Sequence, residues 1–198
     1  MKLRLFVLFM VLCVCSGFQH GKPALTRWVI TSGCSLKVDG STNVNNFSCV
    51  IANYSRPDTI MVVKGGKPFV QLNGHIKLDV QQFDCHNPVM TADLRKTLKS
   101  KEHPYLVIRF VSINKYPENG TRQAFTKGMV HIELAGVSKQ FEVAYKVVAA
   151  DRGVLNLIGS QQVNFSDFNI APPRKLGGMI KTNNELNVVF DLKIKVIE

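Results

Sequence analysis

The sequence predicts an all-β domain with one short helix, folded as an antiparallel up-and-down barrel. Three observations carry this. Apolar and polar residues alternate over many segments separated by short turns, with no strand–helix–strand repeat. A single stretch carries a helical stripe: Met90, Leu94 and Leu98 recur every fourth residue. The last segment is a strand able to pair with the first, which closes a sheet rather than leaving it open.

The elements follow in order. Residues 27–31 and 36–38 read as short strands, with Trp28, the only tryptophan, placed as core or as a plug at the barrel end. Gly40-Ser-Thr-Asn-Val-Asn-Asn is turn-rich, and 47–52 returns to strand. Residues 53–73 admit two readings: a hairpin with arms 60–63 and 69–72 about Gly65-Gly66, or a mobile excursion. Ile76, Leu78 and Val80 alternate with Lys77, Asp79 and Gln81 as a half-buried strand does. Phe83-Asp84-Cys85-His86-Asn87-Pro88 breaks that period, and Asn87 and Pro88 are suited to cap and begin the helix. Arg95, Lys96 and Lys99 lie late in the helix, as its dipole prefers. His103-Pro104 shapes the turn into strand 105–111. Turns are expected at 117–121, Ala135-Gly136 and 151–153, a corner at 165–170, and a loop at 174–179 after Pro172-Pro173. In the closing strand Leu186, Val188, Phe190, Leu192, Ile194 and Val196 face one way.

The chain has 198 residues and is 45% apolar, enough for one domain with a sizeable core. Lys2 and Arg4, the apolar run 5–14 and small Ser16 and Gly17 read as a secretory signal peptide over 1–17, leaving 18–198 as one domain. The net charge of +11 becomes +9 without Lys2 and Arg4. Solubility is the plain meaning of this charge, and attraction to anionic lipid headgroups at a membrane surface the second. Export and the scatter of the basic residues exclude a nucleic-acid partner. Three cysteines follow the leader: Cys34, Cys49 and Cys85. A Cys49–Cys85 disulfide would pin the helical cap to the wall, although pairing through Cys34 stays open because spacing does not fix connectivity.

Catalytic signals are weak. His20, His75, His86, His103 and His131 show no metal-ligand spacing, and Cys85-His86 lacks a third ligand. Asp167, between Phe165 and Phe168, has no partner carboxylate in the pattern. A non-enzyme without metal or cofactor is expected. What stands out is apolar volume at inward positions, including Phe83, Phe110, Phe141, Phe165, Phe168 and Phe190. A barrel of about eight strands holds either packed side chains or one small ligand. A ligand would be lined by Leu78, Val80, Ile108, Phe110, Ile132, Phe141, Val143, Leu157, Phe190 and Leu192. Each is a plain core position if the barrel is filled.

Five segments, in order over roughly 75–197, carry a family resemblance. They are 76–85; Met90, Leu94, Leu98, His103-Pro104 and the strand to Phe110; Leu134-Ala-Gly-Val-Ser-Lys139 running to Phe141; Leu157-Ile-Gly-Ser160 with Asn164-Phe-Ser-Asp-Phe168-Asn-Ile170; and 185–196. The chain resembles the YceI-like family of exported bacterial proteins, and its Cys49 and Cys85 resemble a Bacteroidetes-type variant. The resemblance implies an extended lipocalin-like barrel holding a polyisoprenoid or fatty lipid. Departures are Gly40 to Phe47 where the family has its N-terminal hairpin, an added excursion over 55–72, and Asn169 in place of glycine.

The expectation is a periplasmic or secreted carrier of a long-chain lipid, with its polar end near the mouth beside the basic helix or Arg174-Lys175. The alternative is an envelope stress or interaction protein with a filled barrel and no small-molecule ligand. A homo-oligomer is compatible with either.

Overall fold

A computed structural model describes residues 24–65, 68–116, 123–150 and 153–197. The expected leader over 1–17, His20, the turn at 117–121, Gly66 and the start of the turn at 151–153 lie outside the described residues.

The strands are β1 (Ala24–Ile30), β2 (Cys34–Thr42), β3 (Asn46–Tyr54), β4 (Thr59–Lys64), β5 (Val70–Asp79), β6 (Tyr105–Ile113), β7 (Gln123–Leu134), β8 (Val137–Ala149), β9 (Val154–Asn164), β10 (Arg174–Lys175) and β11 (Ile180–Ile197). Among the described residues the one α-helix, α1 (Pro88–Thr97), lies between β5 and β6. All pairings are antiparallel, and the order β1-β4-β5-β6-β7-β8-β9-β11 closes by β11 pairing with β1. This is an eight-stranded up-and-down barrel, with β2 and β3 as an extension. β2 continues the line of β1 along β11: Ile30 lies opposite Ile194, and Ser35 opposite Asp191. β3 and β4 pair with β2 and β1 in the same way. Each pair is one long strand with an irregularity in the middle.

The first irregularity is held by Cys34. Its thiol donates to the Thr31 carbonyl at 3.0 Å, and the sulfur accepts from Lys193 N–H at 3.2 Å. Burial pushes this free thiol's pKa up, so it acts as a small packing group rather than a nucleophile. The second is spanned by Tyr54, whose hydroxyl donates to Asp58 and accepts from Lys77 N–H of β5 at 3.2 Å.

Two sequence expectations are corrected. Of the two readings of 53–73 the hairpin holds and the excursion does not: β4 pairs with the start of β5, and both are wall strands. Buried Ile60, Val62 and Leu72 supply the inward period, which the adjacent Gly, Lys and Pro residues mask. The Gly40 segment is strand through Thr42, with its reversal at 43–45. Gly40 belongs in the strand because Phe47 covers it: a Cβ there would stand 2.4 Å from the Phe47 ring.

β4 pairs with β5 only at Gln71–Asn73, and among the described residues no strand pairs that margin of β5 further on. The loop after β5 fills the place, with Val50 and Asp84 exchanging backbone hydrogen bonds. A Cys49–Cys85 disulfide fixes it there. Asn87 caps α1 through its side chain on Met90 N–H, with Pro88 in the first turn. Arg95, in the last turn of α1, turns back to donate to the Phe83 carbonyl at 3.0 Å. No helix among the described residues is long and apolar enough to cross a membrane.

Candidate functional site

The barrel interior is the site to consider, and its middle is occupied by two aromatic rings. Phe190 lies over Gly159, where a Cβ would meet the ring at 2.1 Å. Tyr145 stands edge-on to Phe190, with centroids 5.8 Å apart. Its own ring crowds Gly128, where a Cβ would meet it at 2.9 Å and the Ser112 carbonyl at 2.2 Å. Two glycines thus make room for two rings. The Tyr145 hydroxyl is buried with no hydrogen-bond partner among the described residues, and burial drives its pKa far upward. It is a polar atom facing an apolar interior.

One end of the barrel is plugged by Trp28, whose ring stacks at a tilt on Tyr116 at 5.8 Å while its N–H approaches the Tyr116 hydroxyl at 3.4 Å. Lys64 Nζ lies 3.4 Å from the centre of the same ring. Trp28 is therefore the expected end plug.

At the other end, under α1, lies an entirely apolar void of about 60 Å³. Its walls are Leu36, Val38, Ile108, Ile132, Leu186 and Val188, and its roof includes Phe83, Leu94 and Leu98. Phe165, Phe168 and Ile170, from the 3-10 turn Phe165–Phe168, close one side. That turn is set by Asp167, whose carboxylate accepts from Asn164 N–H at 2.8 Å and binds Lys139. The Lys139 ammonium holds the Asp167 pKa below its ordinary value. Asp167 is thus a structural cap.

The candidate lining residues all sit inside. Leu78, Val80, Ile108, Phe110, Ile132, Val143, Leu157, Phe190 and Leu192 are buried, and Phe141 is half-buried, packed on Phe168 at 5.9 Å. Only Ile108 and Ile132 of these touch the void. Sequence reasoning missed Leu36, Val38, Leu134 and Val163 as lining. Alternation shows which face a residue takes but not its depth along the barrel, and register with the neighbouring strands sets that depth.

Among the described residues, no three His, Cys, Asp or Glu side chains gather as a metal site would require. Cys85 is committed to the disulfide. His103 lies against Gly136, where a Cβ would meet its ring at 2.6 Å, and the Pro104 carbonyl accepts from Val80 N–H at 2.9 Å.

This architecture has close counterparts. BcnA from Burkholderia cenocepacia superposes with a TM-score of 0.59 at 14% identity, over 83% of this chain and 96% of that one. A polyisoprenoid-binding domain from Saccharophagus degradans superposes with a TM-score of 0.61 at 11% identity, over 88% of this chain and 100% of that one. The fold is shared. The YCEI protein of Campylobacter jejuni also aligns, at 13% identity over 69% of this chain and 79% of that one, with a TM-score of 0.46. No family model matches the sequence, and no curated protein matches it. At these identities the first two likenesses establish the barrel fold alone, as the YceI-like resemblance implied. Ligand and role are argued separately below.

Proposed function

We propose that the protein is a YceI-like exported carrier that holds a long apolar, polyisoprenoid-like lipid inside its barrel. The observation that carries this is the entirely apolar void beneath α1. It lies in a fold shared with a domain that binds polyisoprenoid. The void of about 60 Å³ is a starting point for a ligand, not its full berth, since ligand pockets span roughly 300–1,000 Å³. Admission therefore requires α1 to lift and the waist rings to turn. The cap suits this: within its own span α1 buries only Thr91, with Leu98 just beyond. A lipid replacing Leu94 and Leu98 would gain about 25 cal/mol per Å² of apolar surface removed from water. Phe110, Phe141, Val143, Phe190 and the other inward residues would line the deeper chain. The Cys49–Cys85 disulfide supports an oxidising compartment, periplasmic or extracellular.

A second reading is favoured by the size of the same void: a filled barrel whose outer surface binds a partner. Native mass spectrometry of protein purified from its own cells, with solvent extraction of bound material, separates the two. The carrier reading expects one long-chain species per chain. A protein that is empty and refuses added isoprenoid establishes the filled barrel instead.

A further inference from the structure

The cap end of the barrel carries an arrangement that neither the core nor a lipid inside it accounts for. Four large apolar side chains point into solvent there: Val44 at 66% exposure, Val89 at 69%, Leu176 at 66% and Met179 at 71%. They come from three separate segments that hydrogen bonds and an ion pair tie into one rim. Asn43, beside Val44, donates through Nδ2 to the Met179 carbonyl at 2.9 Å. Through Oδ1 it accepts from Lys181 N–H at 2.8 Å. Lys175, beside Leu176, is ion-paired to Asp93 of α1. Val89 lies one helical turn before Asp93, on the same side of α1. Leu176 is held at φ 50°, and a Cβ on Gly177 or Gly178 would meet nothing within 4 Å. The loop thus holds a leucine in a backbone region it disfavours while leaving its side chain in water.

Cations frame these tips. Arg174 and Lys181 are opposite each other across β10 and β11, both exposed, and neither is ion-paired among the described residues. Of the acids on these segments, Asp93 is bound by Lys175, and Asp84 accepts from His86 N–H at 2.8 Å. Glu185 lies further along β11. Apolar tips within a basic frame match an anionic bilayer, where apolar groups enter the acyl boundary and cations meet the phosphates.

We propose that this rim docks the protein on the surface of an anionic membrane, with the cap α1 facing the bilayer. The proposal goes beyond the carrier reading and stands on the surface alone, because docking is measured without any lipid inside the barrel.

The test is co-sedimentation of the protein purified from its own cells. The vesicles are of phosphatidylcholine alone, or of phosphatidylcholine mixed with phosphatidylglycerol. Wild type is expected to sediment with the mixed vesicles only. Leu176→Asp with Met179→Asp, and separately Arg174→Glu with Lys181→Glu, should each weaken partitioning about tenfold or more. Arg27→Glu with Lys195→Glu makes the same charge change on β1 and the end of β11, away from the rim, and should retain binding. All six altered sites are exposed, and thermal unfolding checks that each variant folds. Three results overturn the proposal: wild type that ignores anionic vesicles, rim variants that bind as wild type does, or a control pair that loses as much as the rim pairs.

Discussion

Gly159 shows how one residue determines the interior. Its missing side chain is the space in which the Phe190 ring lies. Gly159→Ala forces that ring aside, and overpacking of this kind costs roughly 1–3 kcal/mol. Adding Phe190→Leu should recover part of the loss, measured by urea unfolding. Two independent, additive losses would show that the ring does not depend on the glycine. Tyr145 gives a prediction with a defined sign. Burial makes its folded-state proton harder to remove than in the unfolded chain, and burial together with Asp58 pushes the Tyr54 pKa up to about 12. The folded state therefore holds protons that the unfolded state has released once pH exceeds the ordinary tyrosine value near 10. Stability is fully present below that pH and declines as pH rises past it. Tyr145→Phe should flatten the decline. At neutral pH it removes an unpaired hydroxyl, so stability should hold or rise by up to about 1 kcal/mol. A clear loss at neutral pH would mean the hydroxyl has a partner in solution.

The loop and helix between β5 and β6 form an element held to the wall at few points. The disulfide, the Val50–Asp84 bridge and the Lys175–Asp93 ion pair hold it from outside, and the Arg95 bond to the Phe83 carbonyl braces it within. Replacing Cys49 and Cys85 with alanine should lower stability by about 2–4 kcal/mol. It should speed hydrogen exchange in α1 far more than in the β7–β8 hairpin. Equal acceleration in both would mean that the bridge stabilises the molecule without governing the cap. This element was also the most legible in the sequence. Asn87, Pro88 and the Met90-Leu94-Leu98 spacing act locally, so the chain itself states them. The β3–β4 strand was the least legible. Its course depends on partners far along the chain, and Tyr54 and Asp58 take part in a break that only the closed sheet creates. For the interior, the inward face could be read from alternation, whereas the void required the registers of β2, β6, β7 and β11.

At the scale of the whole molecule, closure rests on β11. One margin of this strand pairs with β9 from Glu185 to Lys195, and the other pairs first with β2 and then with β1. The strand that seals the barrel is the last of the described strands, and it seals against the first of them. A chain halted before Leu186 holds a curved sheet with raw backbone on both margins, the form most prone to join its neighbours. The hydrophobic inner face stays open to its surroundings until residues 186–197 arrive. On the proposed carrier reading, an apolar molecule at hand when the sheet closes would be shut in, whereas entry to the finished barrel needs α1 to lift.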